Sequence, residues 1–363
     1  MNKFKYYYID DESDATINSY INSFNNTDKI EVERLSINKE TAVEEVANKI
    51  FSLSPDGLIL DFRLNESGEF RQNYTATTLA QHIRTQVVLE NKLDFPIIVF
   101  STMSNINDCL EKDTSSMDLF DLSLPKDHTN DGQSLQLQAI ADAYKKCSSP
   151  NVSKSVLLHR ENFEDLSDDI FDPIGETPIR TYKAVNYILK EIIGHPGILI
   201  DEQRMAARLG INIPDCKEAW ISLKKLIDST DIIYKGILSE AWPRYWADKL
   251  FAWFKEKTGR NIYSLDASQR VKLLKESCQI DGLKAAKPID CNESTYFDTI
   301  CEVCQKPMDS TEGLELKEAN NIASWQEHRY VSFYEVGNGD FNDKMLSSAG
   351  IKKKKIIQEI NNE

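Results

Sequence analysis

Hydrophobic residues in the first 130 positions gather in four short runs, each closed by polar side chains: Tyr8-Ile9-Asp10-Asp11-Glu12, Leu58-Ile59-Leu60-Asp61, Ile97-Ile98-Val99-Phe100-Ser101-Thr102 and Leu122-Ser123-Leu124-Pro125-Lys126. Apolar runs of this length, separated by helix-periodic segments, predict parallel strands buried on both faces. Residues 29–35 read as a further strand, and residues 13–24, 38–51, 76–89 and 134–146 as helices. The last of these ends in Lys145 and Lys146, which suit the negative end of the helix dipole. Five strands and, with the helix that such an alternation implies between the Ile97 and Leu122 runs, five helices result. A parallel sheet brings its strand C-termini to one edge, where such sheets bind ligands. Asp10, Asp11, Asp61, Ser101 and Lys126 are therefore expected to converge, a set suited to a hard divalent cation and a phosphoryl group.

These five positions, in this order, resemble the receiver domain of two-component response regulators over residues 1–147. The resemblance implies a flavodoxin-like (βα)5 doubly wound parallel sheet. It implies Asp61 as phosphoacceptor and Asp10, Asp11 and Asp61 as ligands of Mg²⁺. Ser101, five residues after Pro96, is implied as the hydroxyl that bonds the phosphoryl group, and Lys126 as the ammonium that pairs with the aspartate and then the phosphate. The phosphodonor would be a histidine-kinase-like ATPase or a small phosphodonor. The chemistry stands without the family: a carboxylate is a workable nucleophile toward phosphorus bearing a good leaving group, and Mg²⁺ and Lys126 would neutralise the charge on the transferred group. The chain departs from the family at Asn65, where a proline is usual, at Asp127 after the lysine, and at Ser123 in place of the switch aromatic. The connection 65–77 is also longer than usual, which often marks a functional loop; Glu66, Glu69 and Arg71 are its charged residues.

At 363 residues the chain is long enough for two or three cores, and its 41% hydrophobic and 28% charged fractions are those of a globular protein. No apolar run approaches the ~20 residues a membrane span needs. Residues 1–5 lead directly into a strand instead of a signal-peptide core, so a cytoplasmic protein with no membrane contact is expected. Seven scattered cysteines suit reduced thiols. The net charge of −15 opposes broad nucleic-acid binding. Most of that acidity lies early, since residues 1–150 hold 14 Lys/Arg against 24 Asp/Glu.

Residues 147–153 read as the start of a linker reaching to 177, and the acidic stretch 161–172 as either an amphipathic helix or a loop. Beyond it, residues 179–193 have helical periodicity, residues 201–209 form a short helix ended by Gly210, Pro214 opens a longer helix to Ile227, and residues 232–237 read as a strand and turn. This succession over 178–237 resembles a winged helix-turn-helix. In that reading 214–227 would lie in a major groove with Lys217, Ser222, Lys224 and Lys225 exposed, and Arg204, Arg208 and Lys235 near phosphates. Nine Lys/Arg against seven Asp/Glu over 179–237 make it only slightly basic.

Residues 238–363 form a mainly helical or α+β extension. Six aromatics, among them Trp242 and Trp246, fall within residues 242–254; helical spacing favours a core-facing element, and an aromatic partner-binding face is the sharper alternative. Cys301-Glu302-Val303-Cys304 is half of a zinc knuckle without a second short pair, and on a helix the two cysteines would be small core residues one turn apart. Residues 325–336 read as a strand, and Lys352 to Lys355 as the solvated face of a last helix. No phosphate-binding loop, zincin motif or nucleophile elbow is present, so an output enzyme is not expected. The expected function is a phosphorylation-responsive signalling protein whose C-terminal half docks an effector protein, as an adaptor in stress or phage-defence signalling by analogy. The alternatives are a DNA-binding transcriptional response regulator and a pseudo-receiver scaffold without phosphorylation.

Overall fold

In the computed structural model, residues 3–65, 71–106, 117–127, 131–149, 152–174, 180–318, 322–338 and 341–361 are described. The chain divides into two compact units. The first is Met1–Glu161 with Phe171–Tyr187 and Gly236–Ala241, and the second is Asn162–Ile170, Ile188–Lys235 and Trp242–Glu363.

The first unit is built on five parallel strands: β1 (Phe4–Ile9), β2 (Ile30–Arg34), β3 (Gly57–Leu60), β4 (Ile97–Ser101) and β5 (Leu122–Pro125), in the order β2-β1-β3-β4-β5. That order is the flavodoxin-like one, with its switch point between β1 and β3. Every residue of β3 and β4 is buried, which explains why both runs are continuously apolar instead of alternating. Helices α2 (Val43–Leu53) and α3 (Ala76–Glu90) cover one face through Val46, Ile50, Leu79 and Ile83, packed on Tyr7, Leu58, Leu60 and Val99. Side chains of this kind contribute about 1.5–3 kcal/mol each when fully buried. On the other face Phe100 meets the rings of Tyr8, Tyr20 and Phe24 edge-on at 5.2–5.8 Å, the last two from α1 (Asp14–Phe24). Gly57 leaves room for Tyr6 there, since a Cβ would fall 2.1 Å from its ring.

Helix α2 starts five residues later than the periodicity suggests. Glu40 has φ +54°, outside the right-handed helix, and the Thr41 hydroxyl donates to the Asn38 carbonyl at 2.8 Å, a local turn that competes with helix formation. The fourth helix of the alternation falls largely on residues outside those described, as do Glu66 and Glu69 of the long connection. The ends of that connection are tied down: Gln72 N–H donates to the Leu64 carbonyl and the Gln72 side chain to the Asn38 carbonyl. Helix α4 (Asp131–Cys147) runs into the expected linker and buries Cys147, and α5 (Lys154–Leu158), capped by Ser153, follows within the same unit. The acidic stretch 161–172 forms no amphipathic helix: 3-10 turns cover Asp168–Ile170 and Asp172–Ile174.

After α6 (Thr181–Tyr187) the chain widens into π-helix over Ile188–Ile193, a departure from the regular helix expected to 193. Within the second unit β6 (Leu199–Ile200) leads into α7 (Glu202–Arg208), whose Asp201 cap accepts from Arg204 N–H. Gly210 ends α7 at φ +78° and lies so close to Ala267 that a Cβ would sit 2.7 Å from its Cα. A 3-10 turn at Ile213–Asp215 then precedes α8 (Lys217–Asp228), which starts later than Pro214. Residues 232–234 pair antiparallel with 244–246, and β7 (Tyr245–Trp246) also pairs with β6. Helices α9 (Ala247–Thr258) and α10 (Ala267–Cys278) close a core of Met205, Leu209, Trp220, Leu223, Leu250 and Phe254.

The remainder of the second unit has two small antiparallel pairs, β8 (Thr299–Ile300) with β9 (Pro307–Met308) and β10 (Leu314–Glu315) with β11 (Tyr330–Val331), then α11 (Phe333–Asn338) and α12 (Ser348–Asn361). The strand expected over 325–336 is thus only two residues long. The Ser332 hydroxyl accepts from Glu335 N–H and starts a helix instead. Cys301 and Cys304 lie on the turn between β8 and β9, not on a helix.

Candidate functional site

Register places the acidic residues. Ile9 pairs with Leu60 across β1 and β3, so Asp10 and Asp61 leave the sheet side by side, and Asp61 N–H donates to the Ile9 carbonyl at 2.9 Å. Asp10, Asp11 and Asp61 each offer a carboxylate oxygen within 4.8 Å of the others. Among the described residues this is the one group of three or more His, Cys, Asp or Glu side chains that close together.

One lysine ties the cluster together. Lys126 Nζ lies 2.7 Å from Asp10 Oδ2, 2.7 Å from Asp61 Oδ1 and 2.9 Å from Glu12 Oε1. The second oxygen of Asp61 accepts from Arg63 N–H at 2.8 Å, and Asp10 Oδ1 from Glu12 N–H at 2.9 Å. The Tyr8 hydroxyl donates to Asp10 as well, and burial next to Asp10 holds its pKa far above the ordinary phenol value. Burial works against the Lys126 charge, but Asp61 and Asp10 outweigh it and raise the ammonium above its ordinary value. Burial and the repulsion of Asp10 raise Asp61 despite Lys126. Burial, then Asp10 and Asp61, push Asp11 up to about 6. A cluster with excess negative charge at one strand edge is what a hard divalent cation relieves, and its all-oxygen donor set suits Mg²⁺. Asp11, half-buried and raised, is the carboxylate most clearly in need of that charge.

Ser101 is fully buried at the end of β4, in register with Pro125, and Lys126 N–H donates to the Ser101 carbonyl at 2.9 Å. Asn105 Nδ2 reaches the Ser101 hydroxyl at 3.3 Å. Asp127 takes up the N–H of Met103 at 2.9 Å, so the residue standing where a proline is usual joins the loops after β4 and β5. Ser123 is half-buried within β5. Sequence reasoning missed Tyr8 and Glu12 as partners inside the site; the acidic triplet at 10–12 was the available signal.

The basic candidates of the second unit are dispersed. Arg208 is buried, with its guanidinium on both Glu327 oxygens at 2.5 Å and on the Asp298 carbonyl at 3.1 Å. Arg204 is buried between Asp201 and Glu302. Both were expected near phosphates, but the carboxylates of the C-terminal segment occupy them, and no local signal in 201–210 announces those partners. Lys224 pairs with Asp228 at 2.7 Å, while Lys217, Lys225 and Lys235 are exposed. Trp246 is buried in the core against Tyr234, so the aromatic stretch is core-facing there, whereas Trp242 is half-buried.

No protein-family model matches the chain, and no curated protein matches it. Among solved structures, that of the phosphorylated cyanobacterial phytochrome response regulator RcpA is similar to 41% of this chain over 98% of its own, at 19% identity and a TM-score of 0.26.

Proposed function

We propose that the chain is a phosphorylation-responsive signalling protein in which Asp61 accepts a phosphoryl group. The observation that carries this is the meeting of Asp10, Asp11 and Asp61 with Lys126 Nζ at 2.7 Å from Asp61, at the switch point of a 2-1-3-4-5 parallel sheet. An Asp61 carboxylate oxygen attacks the phosphorus of the donor, the bond from phosphorus to the leaving atom breaks (the acyl oxygen of a small acyl phosphate or the imidazole nitrogen of a phosphohistidine), and an acyl phosphate forms while the leaving group departs with its electron pair. Asp10, Asp11 and Asp61 would hold Mg²⁺, which would supply charge neutralisation at the transferred group. Lys126 is already in contact with Asp61 and needs little movement to pair with a phosphoryl oxygen, and the Ser101 hydroxyl stands at the next strand end to donate to another.

The output is read as protein docking in place of DNA binding. The helix and hairpin succession of 188–246 is compatible with a winged helix, but Arg204 and Arg208 are buried on carboxylates, and the half-buried Lys224 pairs with Asp228. Residues Gly236–Ala241, where a wing would have its tip, belong to the first unit, in which Ile237 N–H donates to the Leu157 carbonyl and Gln138 to Glu240. The effector would be a protein, and the phosphodonor a kinase or a small acyl phosphate.

Incubation with acetyl phosphate and Mg²⁺, read by intact mass, tests the phosphoacceptor. Wild type is expected to gain one phosphoryl group and Asp61→Asn none. A wild type that gains none, or a variant that gains as much, overturns the reading.

A further inference from the structure

The second unit holds a small polar cavity of about 190 Å³ at the end of the π-helical turn, between β6 and the β8–β9 turn, which the signalling chemistry does not use. Sites for drug-sized ligands begin at about 300 Å³, so this one suits a smaller group. Three guanidinium groups line it: those of Arg204 on α7, Arg244 just before β7 and Arg329 just before β11.

Their partners differ. Arg204 is 5% exposed, and its two terminal nitrogens are taken by Asp201 and Glu302, the two carboxylates of the lining. Its Nε is buried without a hydrogen-bond partner. Arg244, by contrast, makes no ion pair among the described residues; its Nε donates to the Ile193 carbonyl and its Nη1 to the Pro243 carbonyl, both at 2.9 Å. Burial lowers its pKa below the ordinary guanidinium value, although Asp201 pulls the other way. Arg329 Nη2 donates to the Gly194 carbonyl at 2.6 Å, so the guanidinium groups of Arg244 and Arg329 are anchored on consecutive residues at the cavity wall. Glu318 Oε2 is 3.8 Å from Arg329 Nη1, beyond hydrogen-bond reach. His195, 9% exposed on the same wall, also has a buried Nε2 without a hydrogen bond, although Glu318 Oε2 stands 3.4 Å away.

With Glu318 counted, three arginines meet three carboxylates, so gross charge does not choose the ligand. The unmet hydrogen bonds do. Buried polar atoms without partners are uncommon, and here two of them stand beside a guanidinium group that has only carbonyl partners. Water could satisfy donors, but it leaves the half-buried Arg244 without a counter-charge. An anion supplies both. A planar carboxylate matches the edge of one guanidinium group, whereas the open donors here come from separate elements of the chain. The diverging oxygens of a tetrahedral group reach more than one of them.

We propose that this cavity is an oxyanion site that takes a phosphate group between the guanidinium groups of Arg244 and Arg329. The phosphate is either the free inorganic ion or the phosphoryl end of a small organic phosphate.

The test is calorimetric titration of the full-length protein with inorganic phosphate, glycerol phosphate and acetate, at constant ionic strength and in chelator. Chelator keeps metal off Asp10, Asp11 and Asp61, where it would attract phosphate to the first unit. Inorganic phosphate is expected to bind, and acetate to bind more weakly. Arg244→Gln and Arg329→Gln should each weaken phosphate at least about tenfold, the scale of one charge-assisted hydrogen bond lost. The Arg329 side chain is 34% exposed, so that variant should fold even where Arg244→Gln does not, and circular dichroism checks both. Glycerol phosphate bound as tightly as inorganic phosphate identifies an organic phosphate as the occupant, weaker binding identifies the free ion, and either upholds the site. No binding of either phosphate, acetate bound as tightly as phosphate, or phosphate affinity unchanged in both variants overturns it.

Discussion

Lys126 Nζ lies 2.7 Å from Oδ1 of Asp61, and the same ammonium reaches Asp10 at 2.7 Å, so one buried cation holds the ends of three strands against their mutual repulsion. Removing it leaves two buried carboxylates facing each other. Breaking such a contact typically costs about 3–5 kcal/mol. Lys126→Ala is therefore expected to lose about 3 kcal/mol in chelator by urea denaturation, a magnitude taken from buried pairs generally. Most of that loss should return in millimolar Mg²⁺, because the metal replaces the missing charge. Asp61 should still be phosphorylated, while the shift of the strand ends that follows is lost. A variant equally unstable with and without Mg²⁺ would show that the lysine acts through packing alone.

Asp11 gives the site a pH signature. Its carboxyl is pushed up to about 6 by burial and by Asp10 and Asp61. A carboxyl raised in the folded state favours folding while it is protonated, and that contribution disappears as pH rises from the unfolded value of about 3.9 through about 6. In chelator, Asp11→Asn should therefore be more stable than wild type above pH 6 and lose this advantage toward pH 4. Mg²⁺ needs the ionised form, so its affinity should fall as pH is lowered through about 6. Calorimetric Mg²⁺ titrations at pH 5 and 7 that give equal affinities would contradict this.

How much of this was legible depended on the range of the interactions. Continuous apolar runs at 57–60 and 97–101 are sufficient for buried parallel strands, and Asp10 with Asp61 follows from strand register once the sheet is parallel. Helix starts depend on subtler local contacts, as at Glu40 and Thr41, and are harder to read. The fates of Arg204 and Arg208 depend on Glu302 and Glu327, about 100 residues away along the chain. Nothing near either arginine encodes that pairing, so a basic residue on a short helix looked available for phosphate.

The same burial makes a prediction about nucleic acid. With Arg204, Arg208 and Lys224 paired, only Lys217, Lys225 and Lys235 among the candidate cations are exposed, too few to offset a net charge of −15. Reversing Lys217 and Lys225 to glutamate should leave duplex DNA binding unchanged and negligible at about 150 mM salt. Fluorescence anisotropy with duplexes of varied sequence measures it; submicromolar wild-type binding lost in the variant would restore the DNA-binding reading.

The last prediction concerns Asp121, which precedes β5 as Lys126 follows it. Its fully buried carboxylate accepts from Arg84 at 2.6 Å, Ile97 N–H at 2.7 Å, the Tyr144 hydroxyl at 2.5 Å and Asn186 Nδ2 at 2.6 Å. Arg84 stacks in turn on the Tyr182 ring, with its guanidinium carbon 4.0 Å from the centroid. A single four-residue strand thus has Lys126 at one end and, at the other, the anchor of α6, the helix that leads out of the first unit. Asp121→Ala leaves Arg84 with Asp94 as its one carboxylate partner and orphans three further donors, so a loss of about 3–5 kcal/mol is expected on denaturation. Asn186→Ala removes one charge-assisted bond and should lose about 1.5–3 kcal/mol. The milder variant separates stability from signalling. Asn186→Ala should be phosphorylated at Asp61 like wild type, yet lose amide-exchange protection over residues 181–187, because those residues are held to β5 through Asp121. Wild type treated with beryllium fluoride and Mg²⁺ should show altered exchange over the same residues. If that change is as large in Asn186→Ala as in wild type, β5 and Asp121 are not the route by which the site reaches α6.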